Sequence, residues 1–172
     1  MTMKLMYRSL GFAVSAAVVG LGLALPQAAH AGHTNPVLAT MLEGTAIMPM
    51  AGDPEGMGHG YVFGIDGDET TLCYVLEVSD IQLVPVGEGM AAHIHEGVMG
   101  SNGPVVAALA GPEDGNAGDC LTEGEEGKFP TGEMGIVQRI LNNPENFYIN
   151  VHNPEFPDGA IRGQLSGPDH SH

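Results

Sequence analysis

The feature that most constrains the fold of this chain is a run with a period of two residues that follows a tight-turn dipeptide. Between Thr70 and Val78, the side chains of one face are Leu72, Tyr74, Leu76 and Val78. Such alternation is typical of a β-strand with one buried face. The preceding Asp66-Gly67 favours a two-residue hairpin turn, so this strand is predicted to pair directly with a strand around Tyr61–Phe63.

Glycine and proline divide the rest of the chain into similarly short segments. The 172 residues include 26 Gly and 12 Pro but no Trp, which favours turns and strands over long helices. Roughly eight short apolar segments, Ile81–Val86 among them, follow one another at about ten-residue spacing, as in antiparallel sandwiches and barrels. The sequence therefore predicts an all-β protein built as a single antiparallel β-sandwich.

Two segments depart from the strand pattern. Ile136, Val137, Ile140 and Leu141 are spaced like the apolar face of one short helix, which Asn142-Asn143-Pro144 would end. Between Gly111 and Gly132 the sequence is acidic, rich in glycine and poor in strand-forming residues. We interpret this segment as a long surface loop tethered by Cys120.

The first 31 residues have the three-part layout of a bacterial-type signal peptide. Lys4 and Arg8 precede an uncharged run from Leu10 to Leu25, and Ala29-His30-Ala31 is a small-residue cleavage pattern. The run is short and glycine-rich for a membrane anchor, and no later segment is long and apolar enough to span a bilayer. We predict cleavage after Ala31 and a secreted or periplasmic protein.

Cleavage would leave a strongly acidic chain of single-domain size. Removing 31 of the 172 residues leaves 141, which we divide into a tail at 32–36, one domain at 37–166 and a tail at 167–172. Three basic residues then face 21 acidic ones, a net charge of −18. Nucleic acid and anionic membrane surfaces are therefore expected to be poor partners.

The only two cysteines, Cys73 and Cys120, both lie in the predicted exported part. In an oxidising compartment an isolated pair is most simply a disulfide. A catalytic or metal-binding thiol pair would typically show the close spacing C-x-x-C, which is absent. We therefore predict a structural disulfide between Cys73 and Cys120.

Three sequence blocks, in order, carry a resemblance to a known family. They are AHIHEG at 92–97 with NGPVV at 102–106, YINVH at 148–152 and GAIRGQL at 159–165. Together they resemble the CHRD domain, the repeat first described in chordin and found singly in secreted bacterial proteins. The resemblance spans Val37 to Leu165. Asn153 stands where the family usually has Thr, and Ala160 replaces the usual Glu, but neither change touches the histidines.

The resemblance implies an exported binding or accessory module. In chordin these repeats belong to an extracellular protein that binds a bone morphogenetic protein, a ligand that a bacterial-type signal peptide argues against here. Family membership implies a fold and a compartment, but it does not imply a reaction. The protein partner and the oligomeric state stay open.

The histidines of these blocks have the spacing of metal ligands. His93 and His95 are two residues apart, so on a strand both rings project from one face, about 7 Å apart at the backbone. His152, from another strand, would be the third ligand, and His59 is a candidate fourth. Because imidazole suits copper and zinc, we predict a site for one of these ions.

The same histidine pattern is similar to the copper half of Cu/Zn superoxide dismutase, itself a Greek-key sandwich. The predicted sandwich is accordingly of the Greek-key, superoxide dismutase-like type or of the immunoglobulin-like type. The dismutase's zinc and bridging ligands have no counterparts in the sequence. A copper metalloenzyme is therefore an alternative hypothesis to the accessory module, and a metal-free structural or adhesive surface protein is a further one.

A structural role for the histidines is the alternative to metal binding. They would then hydrogen-bond backbone groups or carboxylates in one polar network with Asn150 and Arg162. For Arg162, an ion pair with Glu96 or Asp158 competes with an anion-binding role. Several methionines could add thioether ligands for Cu(I), although we interpret most of them as core or gap-filling residues: Met48, Met50, Met57, Met90 and Met99.

Overall fold

The computed structural model describes residues 36–167. The predicted signal peptide at 1–31 and nearly all of both predicted tails lie outside the described residues. Within 36–167, no helix has the length and apolarity needed to cross a membrane.

The described chain consists mainly of short β-strands. A seven-residue helix, α1, and two 3-10 turns at Gly44–Ala46 and Pro144–Asn146 complete it. In chain order the elements are β1 Leu38–Glu43, β2 Met57–Ile65, β3 Asp68–Ser79, β4 Ala91–Glu96, β5 Val105–Leu109, β6 Asn116–Thr122, α1 Ile136–Asn142, β7 Phe147–His152 and β8 Ile161–Gln164.

All strand pairs are antiparallel, and the eight described strands follow the order β5-β4-β7-β8-β1-β2-β3-β6. The sheet has two halves of four strands, because β8 and β1 are joined only by the pair Glu43–Arg162 and by the bridge Ala39–Ser166. The predicted hairpin is present, with β2 and β3 connected through Asp66-Gly67. The all-β antiparallel class with one short helix is thus confirmed.

One hydrophobic core lies between the two halves. Both halves supply alternate residues to it, among them Leu42, Leu72, Leu76, Ile94, Ile149 and Ile161. Helix α1 covers one end of this core with the four apolar residues that its sequence pattern predicted, all of them buried. Burial of such aliphatic side chains contributes about 1.5–3 kcal/mol each, which makes the core the main stabilising element of the fold.

The two outer strands approach each other, so the sheet curls around this core. The Ala108 N–H on β5 donates to the Lys128 carbonyl in the segment after β6, at 2.8 Å. Just beyond β5, the Ala110 N–H donates to the Tyr74 hydroxyl on β3, at 2.7 Å. Both hydrogen bonds partly satisfy backbone groups that an open sheet edge would expose.

The prediction of a continuous loop between Gly111 and Gly132 is wrong, because β6 lies inside it. Its residues are weak strand formers, but β6 pairs with β3 over seven positions, with Cys120 directly opposite Cys73. Cross-strand pairing therefore overrides local propensity here. The prediction for Ile81–Val86 is also wrong. This segment is not a strand, and most of its side chains are exposed.

The methionines differ from their predicted packing role. Met48, Met50, Met57 and Met99 are exposed, Met99 to 80%. Only Met90 packs against the core as predicted. Met48, Met50 and Met99 lie in loops, and Met57 is an exposed residue of β2.

The predicted disulfide between Cys73 and Cys120 is confirmed, and it links β3 to the outer strand β6. Replacing both cysteines by serine should lower the free energy of unfolding by up to about 4 kcal/mol, since the bridge closes a loop with a sequence separation of 47. Urea denaturation measures this effect. A reductant should produce the same loss in the wild type and none in the double variant. An unchanged denaturation midpoint in that variant would contradict a stabilising role.

Candidate metal centre

The predicted histidine site lies on the outer face of one half-sheet, away from the hydrophobic core. On β4, Ala92 and Ile94 point into the core, which turns His93 and His95 outwards. On β7, the same alternation turns Tyr148, Asn150 and His152 to the outer face. Antiparallel pairing sets His95 opposite Tyr148 and His93 opposite Asn150. The spacing argument for one common face is borne out by this geometry.

Three loops cover this outer face, so its polar side chains are shielded from solvent. Tyr148 is only 2% exposed, Arg162 4% and Asn150 7%. The covering segments are 44–56, 97–104 and 153–160. Two of them are linked where the Asn102 amide donates to the Met48 carbonyl, at 3.0 Å.

The three histidine rings form a compact cluster. The ring centroids of His93 and His95 are 5.8 Å apart, those of His93 and His152 5.3 Å, and those of His95 and His152 6.4 Å. One ring nitrogen from each residue can be chosen so that no two lie more than 4.8 Å apart. Two metal–nitrogen bonds of about 2.1 Å span at most about 4.2 Å, so small ring movements would bring all three onto one ion.

Backbone carbonyls orient two of the rings. His95 Nδ1 lies 2.9 Å from the Gly103 carbonyl oxygen, and His152 Nδ1 lies 2.9 Å from that of Pro157. A carbonyl oxygen can only accept, so each Nδ1 must carry the proton and donate it. The lone pair of a neutral ring is then on Nε2, as in many histidines that bind metals.

Each ring of the cluster also has one buried nitrogen without a hydrogen-bond partner within residues 36–167. Among the described residues, no group pairs with His93 Nδ1, His95 Nε2 or His152 Nε2. A buried polar atom left unpaired costs about 1–3 kcal/mol, so such atoms are rare in native proteins. Three of them, one from each clustered ring, match the donor set of a metal ion bound by three histidines.

Burial favours the neutral, metal-binding form of His93 and His95. Desolvation, with smaller contributions from His152 and His95, lowers the pKa of His93 to about 4. Desolvation also lowers the pKa of His95, although its hydrogen bond to Gly103 acts in the opposite direction. Because metal ligation needs the neutral imidazole, His93 is ready to bind at any pH well above 4.

The motif Asn102-Gly103-Pro104 brings the loop close enough to orient His95. A Cβ atom at Gly103 would lie 1.6 Å from the Glu96 carbonyl oxygen, so only glycine fits between this loop and the end of β4. The Gly103 N–H donates a hydrogen bond to the Tyr148 hydroxyl, at 3.2 Å. The glycine of this block therefore serves to position His95.

Arg162 lies beside the cluster in a stack of planar groups. Its guanidinium carbon is 3.4 Å from the centroid of the Tyr148 ring, which in turn stacks on His95 at 4.9 Å. The guanidinium donates to Asn102 Oδ1 and to the Ser101 carbonyl, at 2.9 and 2.6 Å. Burial lowers the pKa of Arg162.

The predicted ion pair of Arg162 with Glu96 or Asp158 is wrong. Glu96 instead pairs with Arg139 of α1, which also binds Glu133. Asp158 makes no ion pair with Arg162 within the described residues. Asn150 is the cross-strand neighbour of Arg162, as the network interpretation expected, but the hydrogen bonds of Arg162 go to the 97–104 loop.

His59 is not brought to the cluster. The candidate fourth ligand is an exposed residue of β2, opposite Met41 on β1 and Glu77 on β3. It therefore belongs to the other half-sheet, and the three-histidine group does not include it.

Sequence reasoning missed Tyr148, Asn102 and Gly103 as positioning residues. Tyr148 was signalled by its spacing, because it precedes Asn150 and His152 by two and four residues on the same strand and so shares their face. Asn102 and Gly103 belong to a loop whose contact with His95 depends on the folded β4–β5 connection. Only the family motif pointed to that loop.

The comparisons with known proteins agree with the sequence blocks. The family model of the CHRD domain matches residues 38–165. No curated protein matches this chain, and no solved structure does.

The lowered pKa of His93 predicts a defined pH dependence of stability for the metal-free protein. Between pH 6.5, where an unfolded histidine titrates, and about 4, the unfolded state binds more protons than the folded state. The free energy of unfolding should therefore fall as the pH falls through this window. Thermal melts of the wild type and His93→Gln measure this, and the variant should show the shallower pH dependence. Parallel profiles would contradict a neutral, buried His93.

Proposed function

Because this chain belongs to the CHRD domain family, we propose that it is an exported accessory module that binds one copper or zinc ion through His93, His95 and His152. The observation that carries the proposal is that each of the three clustered rings has a buried nitrogen without a hydrogen-bond partner among the described residues. The predicted signal peptide at 1–31 is what supports the exported compartment.

The donor set favours copper or zinc over harder cations. Three neutral imidazoles supply no charge and no oxygen ligand, and the described residues add no carboxylate or thiolate to the group. Calcium and magnesium prefer oxygen ligands, whereas imidazole suits copper and zinc. When bound, such an ion would supply a Lewis-acidic centre and, for copper, a redox couple.

The surrounding residues would hold the three donors in place. The Gly103 and Pro157 carbonyls accept from Nδ1 of His95 and His152 and so select the tautomer with a free Nε2. Stacking on Tyr148 fixes the plane of the His95 ring. This arrangement matches the outer hydrogen bonds that orient histidines in metal sites. It also explains how histidines that bond backbone groups can still be ligands, because each uses its other nitrogen.

A copper-dependent oxidoreductase of the superoxide dismutase type is the second candidate function. It is favoured by a cavity of about 230 Å³ that is lined by His95, His152 and Arg162 and would leave room for a substrate. Zinc-loaded protein is the matched control, because zinc has no redox chemistry. Superoxide turnover by the copper form alone would support this candidate. Turnover by neither form would contradict it and favour the accessory module.

Metal content tests the proposed site directly. The untagged mature protein, purified without chelators and offered copper or zinc, should hold ~1 equivalent by elemental mass spectrometry. His152→Ala should lose most of this metal because it removes one of three ligands. His59→Ala removes a histidine outside the cluster and should keep the wild-type content.

Two results would overturn the proposal. Unchanged stoichiometry in His152→Ala would show that the ion binds elsewhere. An absence of stoichiometric metal in the wild type, after both ions are offered, would favour a metal-free structural or adhesive protein.

A further inference from the structure

We propose that Arg162 forms a binding site for a small carboxylate-type oxyanion, with bicarbonate as the best-fitting member, in the cavity beside the histidine cluster. The site needs only side chains of the protein itself. It therefore goes beyond the metal proposal and does not rest on it.

Arg162 carries a buried charge that no ion pair within residues 36–167 compensates. Arg162 is 4% exposed, and the described residues give it no ion pair. Glu43 faces it on β1, but the Glu43 carboxylate accepts a hydrogen bond from Thr45 instead. Burial of a charge is costly unless it is paired, so this guanidinium creates a strong local preference for an anion.

The Arg162 guanidinium has hydrogen-bonding capacity that the described part of the chain does not use. Two of its N–H groups donate to Asn102 and Ser101, and Tyr148 covers one face. A guanidinium has five N–H donors, so these two hydrogen bonds use only part of its capacity. Their planar arrangement is suited to a carboxylate or carbonate group.

The cavity beside Arg162 has a size and a polar lining that suit a small anion. Its volume is about 230 Å³, and Arg162, Asn102 and Asn150 line it together with His95 and His152. Since one water occupies about 30 Å³ in the liquid, the cavity has room for an ion of a few atoms.

Asn150 adds a requirement for a hydrogen-bond donor. It is 7% exposed, and its Oδ1 has no partner among the described residues. An anion that carries a hydroxyl can accept from Arg162 and donate to Asn150 at the same time. Bicarbonate meets both requirements, whereas formate and acetate meet only the first.

The acidic surroundings favour a monovalent ion. Asp158, an exposed residue, also lines the cavity, and the whole chain carries a formal charge of −16. Both disfavour sulfate and phosphate, which carry more negative charge. We therefore expect the order of affinity to be bicarbonate, then formate and acetate, then sulfate.

The composition of the chain allows a direct test in the wild-type protein. Arg139 and Arg162 are the only arginines after residue 31. Mature, metal-free protein labelled on arginine should thus give two sets of guanidinium signals by NMR, which Arg139→Lys would assign. Bicarbonate at constant ionic strength should shift the Arg162 signals in a saturable manner and leave those of Arg139 unchanged.

A pair of variants provides the second measurement. Arg162→Met keeps the length of the side chain but removes its charge, and it should weaken bicarbonate binding in calorimetry by about tenfold or more, as expected for the loss of charged hydrogen bonds. Arg139→Met removes an arginine that already has two carboxylate partners and should bind as the wild type does. If Arg162→Met fails to fold, Asn102→Ala replaces it. This variant removes one hydrogen-bond acceptor that holds the Arg162 guanidinium in place and should also weaken bicarbonate binding.

The outcomes separate this proposal from the metal proposal. Saturable shifts of Arg162 in protein that binds no metal would support the anion site alone. Absence of any shift, or equal and unsaturable shifts of both arginines, would overturn it even if metal binding is found.

Discussion

The pairing of β4 with β7 is the interaction on which the site depends. It aligns His93 and His95 with the strand that carries His152, while Ala92 and Ile94 of the same strand enter the core. A slip of one residue would turn both histidines inwards and expose the apolar pair. The packing of the hydrophobic core therefore fixes the register that brings the three rings together.

Strand β7 is buried on both faces, which is unusual for an antiparallel strand. Its inner face packs in the core, and its outer face lies under loops that contact the rings mainly through carbonyl groups of the backbone. The orientation of His95 and His152 consequently depends on loop geometry more than on the identity of the loop side chains. Gly103 shows where this dependence becomes strict, since any larger residue would displace the loop.

Much of the fold was predictable from local patterns, because period-two runs and the β2–β3 turn signal express forces within a few residues. The site histidines were predictable for the same reason, together with the family motif. Strand β6 was not, since its weak strand formers are held by partners on β3 about 47 residues away. The partners of Arg162 were also hidden, because Glu96 had a competing cation, Arg139, that only the position of α1 brings near.

The narrow junction between β8 and β1 has a consequence for motion. At Gly163, a Cβ atom would lie 2.2 Å from the Met41 carbonyl, so the strands touch closely while sharing only one paired position in the ladder. Few backbone hydrogen bonds cross this junction, whereas β2, β3, β4 and β7 are paired along most of their lengths. Partial opening costs least where cross-strand bonds are fewest. Among the eight described strands, local opening should therefore cost least at the junction between β8 and β1.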